Sequence, residues 1–231
     1  MCHLIDIPFR TLGLKYPKDA ECSVGSVFTK MWNPDYHPEG CPPSSLITLN
    51  FDSTEKNDSP IQLTWTDGGI RPPHPDIIPP NSDIGGPGSQ NGVLMIGEKG
   101  IISTNINDSS PLTPKLYLYD GETEFGPDKE EMPEPEYGHQ RKWVDACKAG
   151  FNSEEHLNLT SSFDYAGPMT ETVLMGNLAI RSYMLRKESS NGGFDFFARK
   201  KLLWDGENMK ITNLEEANQF VTRNYRPGWK I

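Results

Sequence analysis

The stretch Ser45–Phe51, "SLITLNF", decides the fold class. Ile47, Leu49 and Phe51 alternate with Leu46, Thr48 and Asn50, so three large apolar side chains share one face at a period of two, as in a half-buried strand. After the polar run "DSTEKNDSP" comes "PIQLTWT", in which Ile61, Leu63 and Trp65 repeat the pattern. Two such runs joined by a polar loop predict an antiparallel hairpin.

Working outward, "ECSVGSVF" reads as a further strand upstream, and "GVLMIGEKGIIST" as a tight hairpin around Glu98 and Lys99. "KLYLY" is another strand, and the acidic, proline-bearing "DGETEFGPDKEEMPEPE" reads as an exposed loop that closes the strand-rich half. Helices follow. "GHQRKWVDACKAG" places Trp143 and Cys147 at i,i+4, with Gly150 able to end the helix and Trp143, like Trp65, expected in the core. "GPMTETVLMGNLAIRSYMLRK" is the longest helix, with Pro168 in its first turn and Val173, Asn177, Ile180 and Met184 along one face. "KKLLWD" and "NMKIT" form a hairpin about "GEN", and "NLEEANQFV" a short helix capped by Asn213. Strands first and helices later predict an α+β fold: an open, mostly antiparallel β-sheet with helices on one face, read as a single domain over residues 1–231.

The composition limits what the chain can do. With 35% hydrophobic and 10% aromatic residues it can bury a core without disulfides. A formal charge of -10, with no stripe of Lys and Arg, argues against a nucleic-acid partner. Cys2, Cys22, Cys41 and Cys147 form no CxxC pair, and among His37, Cys41 and His74 only the first two are close in sequence, so no metal site is read. The longest apolar stretch, "MTETVLMGNLAI", is too short and too polar to cross a bilayer, so no membrane partner is expected. No G-x-G-x-x-G follows a strand, and "GGPGSQNG" lies in a proline-rich loop, so the chain lacks a dinucleotide fingerprint.

Three stretches carry candidate chemistry. In "CHLID", Pro8 is expected in the first turn of a helix beginning near residues 4 to 7, which sets His3 and Asp6 at its positive end. An imidazole there can exchange a proton near pH 7; the alternative is a capping Asp beside an ordinary His. In "TWTDGGIRPPHPDIIPP" the prolines hold Arg71 and His74 on a stiff loop, where a guanidinium could hold a carboxylate or sugar hydroxyls and an imidazole could donate to a hydroxyl. A rigid surface loop explains the same residues. "SSFDYAGPMTE" places Asp164 and Tyr165 just before the long helix, where Asp164 can also serve as a simple cap.

Taken together, "CHLID", "WTDGGIRPPHPD", "GVLMIGEKG", "GHQRKWVDACKAG", "FDYAGPMTETVLMGNLAIR", "LLWDGENMKITN", "EAN" and "YRPGW" resemble the carboxy-terminal domain of the glucose-fructose oxidoreductase, inositol dehydrogenase and rhizopine-catabolism family, Gfo/Idh/MocA, in the branch common in Bacteroidetes. The resemblance implies a full-length enzyme that passes a hydride between NAD or NADP and a sugar or cyclitol. The cofactor would sit on a preceding Rossmann domain that also carries the catalytic Lys, so this chain alone is not expected to bind it. It also implies that His3 is the active-site His that assists proton transfer, that Asp6 supports it, and that the chain forms a homo-oligomer through its sheet. Sugar contacts from Arg71, His74 and Tyr165 are read from side-chain chemistry. Two other readings stay open: an NAD-dependent glycoside hydrolase of the same family, and a non-catalytic carbohydrate-binding or oligomerisation module.

Overall fold

Ile47, Leu49 and Phe51 are 3%, 0% and 2% exposed, so the alternation read in residues 45–51 is the inner face of a sheet. The computed structural model describes residues 2–80, 84, 91–105, 114–121, 124–125, 138–223 and 225–229. The described strands are β1 (Asp19–Val24), β2 (Ser45–Phe51), β3 (Ile61–Thr66), β4 (Gly92–Ile96), β5 (Gly100–Asn105), β6 (Lys115–Leu118), β7 (Glu124–Phe125), β8 (Lys187–Glu188), β9 (Phe194–Asp195), β10 (Leu202–Asp205) and β11 (Lys210–Ile211). The helices are α1 (Cys2–Thr11), α2 (Gly138–Ala149), α3 (Glu154–Leu157) and α4 (Phe163–Tyr183), with a 3₁₀ helix at Glu215–Phe220. Every described strand pair is antiparallel, in open sheets, which makes the fold α+β.

The chain gathers into two compact units. The first comprises Phe9–Pro72 and Met169–Ile231, the second Cys2–Pro8 and Pro73–Pro168. The first unit holds a five-stranded sheet in the order β11-β10-β1-β2-β3. Its register sets Ile47 opposite Trp65, Leu49 opposite Leu63 and Phe51 opposite Ile61, so both apolar sets read from the sequence share one face. Ala20 and Leu202 continue that face at 0% and 1% exposure. Trp204, two residues after Leu202, donates its indole N–H to Glu171 Oε1 of α4 at 2.6 Å, which ties the helix to this side.

The opposite face is mostly polar, with Leu46 and Leu203 as its apolar members. Asn50 donates to Asp19 at 2.5 Å, Gln62 donates to Asn50 at 3.2 Å, and Lys201 Nζ lies 3.7 Å from Asp19 and 3.8 Å from Glu21. This outer ladder satisfies a sheet side that a hydrophobic partner would otherwise have to cover.

The second unit is built on the sheet β4-β5-β6-β7. Its core joins Ile78, Ile101 and Tyr117, with Ile77 and Leu94 packed against them. The β4–β5 hairpin closes as read, with Ile96 opposite Ile101 and the Gly97 N–H donating to Gly100 O at 3.0 Å. Gly100 is required by its neighbour, since a Cβ there would stand 2.2 Å from Tyr117 O. Most of the acidic run 120–136 and of "GGPGSQNG" lies outside the described residues.

Several helix readings are corrected. α1 begins at Cys2, with Pro8 inside it, so the helix starts earlier than the proline suggested. α4 begins at Phe163 and contains Pro168 and Asp164, so Asp164 lies in the first turn rather than before it. A proline inside a helix removes one ladder bond and costs about 3 kcal/mol. Burial of Ile5 and Phe9 in α1, at 3% and 2% exposure, opposes that cost. The buried side of α4 is Thr172, Met175, Gly176, Leu178, Ala179 and Ser182, not the expected row, in which Asn177 is exposed. Trp143 is 60% exposed because α2 buries only Gly138 and Ala146, while Gly150, at φ 97°, ends α2 as read. Asn213 caps no helix; Leu214 holds the cap position without a side-chain bond.

Candidate functional site

The motif residues divide into those that complete strand ends and those that join the two helices α1 and α4. In "WTDGG", Asp67 accepts from the Ser45 N–H and hydroxyl at 2.6 and 2.9 Å and from the Trp65 indole N–H at 3.0 Å, which pins the start of β2 to the end of β3. Gly68, at φ 62°, follows because a Cβ would lie 2.1 Å from Pro43 O. In "LLWDGENMKITN", Asn213 accepts from the Leu203 N–H at 2.9 Å and donates to Lys201 O at 2.8 Å, clamping β10. Asp205 accepts from the Asn208 amide, which holds its exposed carboxyl below the usual carboxylate range. In "EAN", Asn218 accepts from the Ile211 N–H at 2.8 Å and donates to Ile211 O at 2.9 Å. These side chains complete backbone hydrogen bonding that strand ends leave open.

"CHLID" and "FDYAG" behave differently. The Tyr165 hydroxyl, near the start of α4, donates to the Asp6 carboxylate and lies 3.4 Å from the Asp6 carbonyl oxygen. Both residues are half-buried and both belong to the second unit. A phenol donating to a carboxylate is a charge-assisted hydrogen bond, and it fixes the orientation of the acceptor. His3 is exposed and stands three residues before Asp6 on α1, a spacing that brings two side chains onto neighbouring positions of one helix face. It occupies the second helical position, where the unsatisfied N–H groups of the first turn make the local potential positive. An imidazole open to solvent, an oriented carboxylate and a phenol are thus gathered from residues 3, 6 and 165, and such groups can bind hydroxyls and exchange protons with them.

The remaining candidates lie on other segments of the chain. His74, in the same unit, is exposed, and its Nδ1 lies 3.2 Å from Pro75 O. Arg71 is exposed and belongs to the first unit, because the division falls between Pro72 and Pro73. His37 and Cys41 line a cavity of about 70 Å³ in the first unit, while His74 is in the second. Among the described residues no three His, Cys, Asp or Glu side chains are grouped to hold a metal ion. No described helix is long and apolar enough to cross a membrane.

Every described strand pair is antiparallel, so no parallel strand-turn-helix presents backbone N–H groups to a pyrophosphate. Sequence reasoning missed the pairing of Asp6 with Tyr165, which lie 159 residues apart, although it singled out each alone. No family model matches the chain, and no curated protein matches it.

Proposed function

We propose that this chain is the substrate-side portion of an NAD- or NADP-dependent oxidoreductase that acts on a hydroxyl of a sugar or cyclitol, with the nicotinamide held by residues outside the chain. The observation that carries the reading is the Tyr165–Asp6 hydrogen bond one helical turn from the exposed His3. It joins two of the motifs on which the family resemblance rests. In this reading Asp6, held by Tyr165, accepts from a substrate hydroxyl, and the His3 imidazole gives or takes the proton of the reacting hydroxyl. Arg71 and His74 would add sugar contacts from their proline-stiffened loop. Oligomerisation through the first unit's sheet would be a polar association through Asp19, Glu21, Asn50 and Gln62.

The test is calorimetric titration of the chain with a panel of monosaccharides and cyclitols, comparing wild type with Asp6→Asn, Tyr165→Phe and His3→Ala, each checked for folding by circular dichroism. At least one neutral polyol should bind, and loss of the Tyr165 hydroxyl should weaken it about tenfold, the scale of one hydrogen bond to a charged group. In an enzyme that contains this chain, His3→Ala should lower turnover about a hundredfold. Absence of any binder, or three folded variants that bind as wild type does, would overturn the proposal.

A further inference from the structure

In the first unit two arginines are interleaved with four aromatic rings. The guanidinium carbon of Arg186 stands 3.4 Å from the Tyr36 ring centroid and 3.7 Å from that of Phe194. Arg199 stands 3.6 Å from Phe196 and 4.6 Å from Tyr183, and Arg186 reaches the same Phe196 ring at 6.0 Å. The assembly is held in place. Tyr36 donates its hydroxyl to Met184 O at 3.0 Å and meets Phe196 edge-on at 6.4 Å between centroids. Gly192 and Gly193, at φ 78° and 92°, turn the β8–β9 hairpin that presents Phe194.

Stacking occupies the faces of a guanidinium and leaves its N–H groups, which lie in the plane, for acceptors at the edge. Arg181 shows the self-contained form of such an arrangement, with the Phe220 ring at 4.4 Å and the Glu39 carboxylate at 3.3 Å. Arg186 and Arg199 have rings but, among the described residues, no carboxylate partner within ion-pair distance. Two like charges on one shared ring repel each other, and in a chain of net charge -10 they form a local positive site.

We propose that the Arg186–Arg199 ladder is a binding site for an oxyanion, the carboxylate or phosphate group of a small ligand. Each guanidinium edge donates to two oxygens side by side, and the aromatic stacking fixes the fork before binding, so less side-chain freedom is lost on association. This proposal does not rest on the function proposed above. Its test is titration of the chain at low salt with inorganic phosphate, with glucuronate and with neutral glucose. At least one anion should bind at millimolar concentration or below, and the arginine variants described next should leave any binding of glucose unchanged. Phosphate binding would assign a phosphoryl ligand and glucuronate binding a carboxylate.

Arg186→Lys and Arg199→Lys keep the charge but lose the fork, and each should weaken the anion about fivefold or more, with Arg186→Gln/Arg199→Gln abolishing it. Thermal unfolding identifies the folded variants, and the lysine variants keep the test open if the glutamine pair does not fold. Failure of both anions to bind, or folded lysine variants that bind as wild type does, would overturn the proposal.

Discussion

Cys22 gives the sharpest quantitative test of the first unit's sheet. It lies on β1 opposite Ile47, and burial, with a smaller contribution from Glu21, pushes its thiol from an ordinary 9.0 up to about 12. Only the thiolate reacts with an alkylating agent. At pH 8 a thiol at 9.0 is about one-tenth ionised and one at 12 about one part in ten thousand, so native Cys22 should react about a thousandfold more slowly. Cys2, Cys41 and Cys147 are exposed and serve as internal controls. Iodoacetamide labelling followed by peptide mass mapping should show those three modified while Cys22 stays protected until denaturant is added.

The same shift links to stability. The folded state keeps its Cys22 proton at a pH where the unfolded chain loses it, so the stabilisation is complete below 9.0 and is lost as pH rises toward about 12. The slope is about 1.4 kcal/mol per pH unit in that window. Urea titrations of wild type and Cys22→Val at pH 8, 9.5 and 10.5 should diverge by that slope. Labelling of native Cys22 at the rate of the exposed thiols, or parallel stability curves, would refute the burial argument.

Leu49→Ala, at a fully buried position on β2, should cost about 2–5 kcal/mol in chemical denaturation, and a loss under 1 kcal/mol would place Leu49 outside a packed core. Gly100→Ala should destabilise the second unit by more than 1 kcal/mol, because the new methyl meets backbone rather than a movable side chain; unchanged hydrogen exchange at Ile101 and Tyr117 would count against the β5–β6 register. Ser182→Ala should be neutral or stabilise by about 1 kcal/mol, since the Ser182 hydroxyl is buried in α4 without a hydrogen-bond partner among the described residues, and a lowered melting temperature would reveal a partner.

The strands were legible because a period of two leaves few alternatives once Ile47, Leu49 and Phe51 must all be covered. The helix starts were not. A proline is read as a first-turn residue, yet Pro8 and Pro168 sit inside α1 and α4, where the packing of neighbouring residues outweighs the lost bond. Asn213 reads as a cap by residue type, whereas its amide is engaged across β10, a partner that local sequence does not identify. The candidate site was half legible. His3, Asp6 and Tyr165 were each marked by position near a helix start, but only the folded chain joins Asp6 to Tyr165. The ladder of Arg186 and Arg199 escaped altogether, because Tyr36 reaches it from 150 residues away and stacking leaves no periodic trace.

The position of β1 between β2 and β10 has a consequence for synthesis. β2 follows β1 closely, but β10 begins only at Leu202, after the whole of residues 73–168 has emerged. At about 5–20 residues per second, a ribosome takes roughly 7–27 s to pass from the end of β3 to β10. For that interval Asp19 and Ala20 lack the strand that finally pairs with them, and the nascent β1–β2–β3 meander carries a bare edge. The charged Glu21 and the neighbouring Lys18 lie along that edge, placed where charge deters a second nascent chain from adding on before β10 arrives.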